Sequence, residues 1–528
     1  MVSRPLLTVL CLLSAALSAA GQQAGTVRDF PFTVETHPFL TLSNPALLDR
    51  FDGQVSQVQS HFRKENGGWL SPAESPDSWD AGASAQSYRR IGPNLTFFGS
   101  LGWQHFTGKD MGGQVLLDYT YNPINFLESS DNTKGTKKRE RYALSGGMSY
   151  RLGRRWAAGI QLNFTSADQT KTKDPRFSNV WMDLDLKAGV SFQASDRWVL
   201  GAAFLFRNTL EQVKGGIYGT TDQQYFLQLD KGCHMGTVFE LAGDYNPISV
   251  SNPRPMMNYF WGGSLQAVLD GRFANELVFQ VRNGYYGRRS STTATFFEYG
   301  GIRAGYKGKL LIPSGRNLQV LSLEAGLETL TNLENKFRYV TPTGQNTVVE
   351  YTGQSRIMDR LLAAATLSYA WHQEADEGRP SLTLGARLDG RFRNQTTSLY
   401  PFTRRQQVTV LNADLYGEKC LPAGTVLLDF SLHALVGGGF GIPLEDSSAA
   451  ETASTSIQHF DNPLFRQYEY ETALHAGAEL SFGIRFPVKG AWIPYVRVSD
   501  RFVSLLSAPV YLDGGRRNVA MISLGCCF

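Results

Sequence analysis

Charged side chains recur at alternate positions inside otherwise apolar stretches of this chain. Asp183, Asp185 and Lys187 form one such set, Arg303, Lys307 and Lys309 a second, and Arg387, Asp389, Arg391 and Arg393 a third. Glu324, Glu328, Asp429, Glu479, Arg485 and Arg497 sit in the same kind of context. Side chains two apart on a β-strand share a face, so each set presents its charges in a row. Such a row can line a water-filled passage and tune which solutes enter it. It can equally pair with a neighbouring row into a ladder that fills the space, and the residues leave both readings open. His433 and His475 belong to comparable rows, with Asp429 nearby. Imidazole beside carboxylate is the chemistry of a metal centre or a hydrolase, and also of a polar network with no reaction to run. No Gly-x-Ser-x-Gly elbow, Gly-x4-Gly-Lys-Ser/Thr loop or His-Glu-x-x-His pair accompanies them. No catalytic, cofactor-binding or metal-ligating residue is therefore assigned, and enzyme activity is not expected.

The elements that carry these rows are strands. Trp156, Ala158, Ile160, Leu162 and Phe164 alternate with Ala157, Gly159, Gln161 and Asn163. Val180 to Phe192 and Leu474 to Val488 alternate in the same way, as do 297–310, 381–394 and 424–437. Many of these runs exceed the roughly nine to eleven residues that cross a hydrocarbon layer at a tilt. Strands of soluble proteins average about five or six. Composition agrees: charged residues make up 19% of the 528, and Gly reaches 53. Nothing past the N-terminus approaches about eighteen consecutive apolar residues, which excludes membrane-spanning helices. The expected fold is all-β, a transmembrane antiparallel up-and-down β-barrel. A charge facing lipid at midplane costs roughly 2–4 kcal/mol for Arg or Lys, so the charged rows are assigned to the lumen. The net charge of +4 is too small to imply a nucleic-acid partner.

Both ends of the chain add to this. Residues 1–20 have the form of a signal peptide, with Arg4, an apolar core from Leu6 to Leu17, and small residues Ser18-Ala19-Ala20. Export and cleavage near Gly21 are expected. Val519 to Phe528 alternates apolar residues and ends on an aromatic. It resembles the C-terminal assembly signal of outer-membrane barrels, which implies a partner in the barrel-assembly machinery. That strand is expected to pair with residues 53–64, and Ser523 and Cys527 to face the lumen. Between the ends, 21–52 reads as a segment tucked into the barrel mouth, leaving 53–528 as the barrel.

Short and long connections alternate along the chain, as periplasmic turns and outer loops do in such barrels. Counted backward from Phe528 they close at about 20 strands, within a plausible range of about 14 to 22. The count takes 83–106 as one strand bent at Pro93, 107–112 and 231–232 as periplasmic turns, and 222–230 as a short strand. Trp103, Trp156, Trp198, Trp371 and Trp492, with Phe528, then fall at one interface. Indole rings prefer that boundary. Trp261 is a candidate for the opposite rim.

Asn44-Pro45-Ala46-Leu47, just before the first strand, resembles the Asn-Pro-Ala-Gly-Leu element of outer-membrane long-chain fatty-acid transporters, with Leu47 in place of Gly. That resemblance implies an N-terminal hatch and a hydrophobic substrate path. As a whole the chain resembles the large, uncharacterised outer-membrane barrels of Gram-negative bacteria, and the outer membrane is its expected location. The expected function is a channel or passive transporter for small to medium polar solutes, gated by loops 331–359 and 438–472. Fatty-acid-type transport and a non-transport scaffold are the alternatives. The expected partners are the lipid bilayer, the assembly machinery and a small-molecule solute; no cofactor is expected.

Overall fold

Alternation of apolar and polar side chains makes each strand two-faced, and closing the sheet gives the apolar face to lipid and the polar face to the interior. The computed structural model describes residues 29–528 except 129–130, 221, 244–245, 345, 375–377, 448–457 and 488–491. The signal-peptide reading of 1–20 and the turn at 489–491 lie outside the described residues. In chain order the strands are β1 (Gln54–Gly67), β2 (Asp77–Arg90), β3 (Leu95–Met111), β4 (Asn125–Glu128), β5 (Gly135–Leu152), β6 (Trp156–Lys171) and β7 (Arg176–Gln193). Then come β8 (Trp198–Gly216), β9 (Phe226–Asp230), β10 (Gly236–Glu240), β11 (Pro255–Leu269), β12 (Phe273–Gly287), β13 (Thr295–Ser314) and β14 (Asn317–Val340). The last are β15 (Val348–Gln373), β16 (Leu382–Leu399), β17 (Phe402–Ala423), β18 (Val426–Asp446), β19 (His475–Arg485), β20 (Ile493–Leu505) and β21 (Arg516–Cys527). Two helices, α1 (Phe30–Thr36) and α2 (Gln458–Thr472), complete the elements used below.

Eighteen of these strands form one antiparallel sheet, and β4, β9 and β10 form a separate three-stranded one. The large sheet closes because β1 pairs with both β2 and β21, the latter with Gln57 opposite Cys527 and Gly67 opposite Arg517. The expected adjacency of the first and last strands is therefore present. Eighteen replaces the expected 20 for identifiable reasons. Pro93 does not bend one strand; residues 91–94 make a tight turn, with the Ile91 N–H donating to Leu95 O at 2.7 Å, so β2 and β3 run in opposite directions. The turn expected at 107–112 is instead mostly the end of β3, and the chain beyond Met111 makes a long excursion into the lumen. Residues 222–230 and the turn at 231–232 belong to the β9–β10 hairpin of the small sheet, away from the wall.

Outward rows are apolar: Leu152, Tyr150, Met148, Leu144 and Tyr142 on β5 are all exposed, as are Trp156, Ile160 and Leu162 on β6. On β5 the row turns polar at Glu140. Trp103 is opposite Tyr142 and its indole N–H donates to Glu140 at 2.9 Å. With β3 running away from the turn at 91–94, Trp103 therefore marks the outer edge of the apolar belt, not the periplasmic girdle it was assigned to. Trp156 and Trp198 open β6 and β8 beside short turns, Trp371 lies near the end of β15, and Trp492 stacks on Phe528 at 4.9 Å. These five aromatic residues are at the end of the barrel where the turns are short.

Candidate functional site: a closed, charge-lined lumen

The mouth at the end of the barrel where the turns are short is filled by residues 29–51. Asp29 caps α1 through a bond from Phe32 N–H (3.1 Å) and pairs with Arg485, which also holds Asp429. Phe32 packs edge-on against His372 at 5.1 Å, and Lys309 donates to Glu35 O at 2.6 Å. Across the mouth, the Ser43 N–H reaches both oxygens of Glu276 at 3.2 Å. Asp49, almost wholly buried, accepts from Arg151 Nε at 3.1 and 3.0 Å and lies 3.5 Å from Arg90. The plug thus touches strands around the whole circumference.

Its middle, Asn44 to Arg50, is a 3-10 turn pressed against the wall. Asn44 caps it by accepting from Ala46 N–H (3.0 Å), and the same amide donates to Val190 O (2.9 Å) and Gln266 Oε1 (2.9 Å). Gly159, Gly189 and Gly201 make this approach possible. A Cβ on Gly189 would lie 2.1 Å from Asn44 Oδ1, and one on Gly159 2.5 Å from Ala46 N.

The outer end is closed by infolded loops. Residues 112–134 and 217–254, with the small sheet, build a hydrophobic core inside the barrel from Val115, Phe126, Leu227, Leu229, Phe239 and Ile248 against Phe177, Met256, Phe297 and Leu330 of the wall. Polar wall residues hold the loop tip. Arg282, fully buried, donates to Asn258 Oδ1 (3.0 and 2.7 Å) and Glu328 Oε1 (2.7 Å), with its guanidinium 4.3 Å from the Tyr121 ring centroid. Arg360 caps Thr120 O at 3.0 Å and Asn122 O at 3.3 Å. Glu211 accepts from Leu117 N–H at 2.6 Å and Asn122 Nδ2 at 3.1 Å. Burial pushes the Asp118 carboxyl up, against the opposing pull of Arg207, Arg282 and Arg360. On the other side α2 fills the mouth, Glu471 accepting from Arg393 at 3.1 Å. Loop 438–472 was expected at this end, and its residues 448–457 lie outside the described ones. Loop 331–359, also expected to gate, is mostly the β14–β15 hairpin.

Two chambers remain between plug and cap. The upper, about 910 Å³, is walled by Arg303, Glu328, Arg387, Asp389, Arg391 and His475 among the expected lumen residues. The lower, about 510 Å³, is walled by Asp183, Asp185, Lys187, Arg303, Lys307 and Glu324, with Ser43 of the plug as its floor. Arg303 borders both. Asp429, His433, Glu479, Arg485 and Arg497 line neither, although all face inward with the odd-numbered rows of their strands; Asp429 and Arg485 anchor the plug. His433 and His475 are not brought together. His433 is opposite Glu479 while His475 is opposite Gly437, a four-residue offset of about 13 Å. His433 pairs with Asp414 at 3.2 Å and stacks on Tyr416, and His475 packs on Trp69 with ring centroids 4.6 Å apart. Among the described residues no cluster of His, Cys, Asp or Glu is placed to hold a metal ion. Cys233, which the loop count puts near a periplasmic turn eight strands from Cys420 and too far to bridge to it, is instead buried in the outer cap, where burial pushes its thiol up to about 12.

The inward arginines Arg207, Arg282 and Arg360 and the acids Glu211 and Glu276 were not singled out from sequence. Their parity within 198–216, 273–287 and 348–373 marks them as inward-facing; what they hold depends on loops without any period.

A closed, apolar-belted barrel with a polar interior is the fold of an outer-membrane β-barrel protein. The chain belongs to a family of unknown function, DUF6850, whose model matches residues 45–528. No curated protein matches it. Similar solved structures include the ferric preacinetobactin receptor BauA of Acinetobacter baumannii, at 7% identity and a TM-score of 0.40, covering 90% of this chain and 80% of that one. A FadL homologue of Pseudomonas aeruginosa gives 13% identity and 0.31, covering 93% and 94%. The Pseudomonas putida toluene transporter TodX gives 10% and 0.29, covering 92% and 91%. Similarity at this level carries no information about cargo.

Proposed function

We propose that this protein is a gated transport barrel of the outer membrane of a Gram-negative bacterium, passing small to medium polar solutes. Export by the 1–20 segment and insertion through the final strand belong to the same reading. The observation that carries it is the pair of charge-lined chambers, about 910 and 510 Å³, that meet at Arg303 between plug and cap. Charged side chains lining an internal space are the means by which channels select solutes. The gate in this reading is the plug, because its attachments are chiefly ion pairs and single hydrogen bonds. Fatty-acid-type transport would need an apolar space beside the plug. The residues around Ser43 are Asp183, Lys187, Arg207, Glu276 and Lys307, which counts against it.

The test is solute flux into liposomes and conductance in planar bilayers, for the full chain and for a variant lacking 29–44. Neutral sugar flux is expected to rise in the truncated form. A folded truncated barrel with neither flux nor current would sink the reading.

A further inference from the structure

The upper chamber has an imbalance of pairing. Three of the four carboxylates on its wall accept from an arginine, Glu328 from Arg282 (2.7 Å), Asp389 from Arg387 (2.8 Å) and Glu471 from Arg393 (3.1 Å), while Asp414 meets His433 (3.2 Å) through one oxygen and leaves Oδ1 without a partner. Three guanidiniums on the same wall are left over. Arg303, Arg391 and Arg501 make no salt bridge among the described residues, and all three are exposed to the chamber. Register explains two of them. Arg391 on β16 lies between Ala364 and Val410, so no acid faces it from either neighbouring strand. Arg303 on β13 lies opposite Glu328, but that carboxylate is held by Arg282 and the Tyr121 hydroxyl (3.2 Å). Arg501 on β20 lies opposite Glu479 in register but makes no ion pair with it, and the three enter from separate arcs of the wall. Guanidiniums with no internal partner, in an enclosed space, raise the local positive potential and present forked donors matched to carboxylate and phosphate oxygens. The volume is within the roughly 300–1,000 Å³ of small-molecule sites.

We propose that the upper chamber binds small solutes carrying two or three carboxylate or phosphate groups, through Arg303 and Arg391 with Arg501 as a third contact. This deepens the transport reading by naming the class of solute. Arg303, bordering both chambers, hands the anion from one to the other.

The probes are benzene-1,3,5-tricarboxylate and inorganic phosphate, titrated calorimetrically into the full chain folded in detergent. The tricarboxylate is expected to bind, and R303Q/R391Q to weaken it at least tenfold. R303K/R391K should recover part of the loss, and R289Q, outside the chamber, should change nothing. Removing these arginines strands no carboxylate, so the variants should keep the wild-type temperature of gel-mobility change. No tricarboxylate binding to the wild-type chain, or binding unaltered in R303Q/R391Q, overturns the proposal. Neutral sugar flux into liposomes carrying the variant lacking 29–44 separates the two readings. Flux without tricarboxylate binding overturns the anion site alone, and binding without flux overturns transport alone.

Discussion

At the outer end of the lumen, Phe126, Leu227, Leu229 and Phe239 are buried almost completely in one continuous core with the wall. At the periplasmic end, the buried apolar residues of the plug fall into two small groups, around Phe51 and around Leu47. Between those groups the plug is held by Asp29, Ser43, Asn44 and Asp49, each bonded to a different part of the barrel. Burying a continuous apolar surface contributes roughly 25 cal/mol per Å² and has no directional release. Separate polar bonds exchange with water for about 0.5–1.5 kcal/mol each, and about 1.5–3 kcal/mol where a charged group takes part, as at Asp29 and Asp49. In the proposed reading the outer closure is part of the wall and the inner one is the part that leaves.

The comparison breaks most sharply at Arg282. Replacing it with Met leaves Glu328 and Asn258 buried without their donor, and removing one partner of a buried pair costs about 3–5 kcal/mol. The expected result for R282M is a large drop in the denaturant midpoint of the whole barrel, with no selective gain in flux. If R282M instead raises flux at unchanged stability, the cap is the gate and the assignment of ends is reversed.

A smaller, opposite effect is expected at the glycine cradle. G189A puts a methyl group against Asn44, and overpacking of this kind costs about 1–3 kcal/mol. If the plug is the gate, as proposed, the expected outcome is several-fold higher sugar flux with a barrel midpoint near wild type. An unchanged flux would show that the plug stays seated.

The smallest effect concerns Asp118 at the loop tip. Its carboxyl is raised above 3.8 by burial, so the folded loop favours the neutral acid. Its contribution to stability is full below the unfolded value and is lost as pH rises through the folded one. D118N should thus be slightly more stable than wild type at neutral pH and indistinguishable from it below about pH 3.8. Midpoints measured at both values check this, and a D118N loss at neutral pH would contradict it.

Much of the wall was legible because period two survives wherever one face meets lipid, as in Trp156 to Phe164. The inward placement of Asp183, Arg303 and Arg387 follows from that alone. Direction was less legible: Pro93 marks either a bulge or a turn, and choosing the bulge reversed β3 and sent Trp103 to the wrong rim. The infolded loops were not legible at all. Residues 222–230 alternate like a wall strand because the β9 strand also has two faces, one toward the cap core and one polar, where Gln228 donates to His234 O at 3.0 Å and Asp230 accepts from Gly232 N–H at 2.8 Å. Nor does sequence show which acids are already paired. The free guanidiniums of Arg303 and Arg391 emerge only from register, since their rows look the same as that of Arg207, which Asp183 neutralises at 2.9 Å.

The pairing of β1 with β21 also sets an order of events. Gln57 and Cys527 are about 470 residues apart, yet the loop-closure cost of joining them exceeds that of a neighbouring hairpin by only about 2–3 kcal/mol. Synthesis makes residues 29–51 before any strand, while Arg485, which receives Asp29, is among the last residues made. A segment made before every strand thus cannot complete its contacts until Arg485 on β19 exists to receive Asp29.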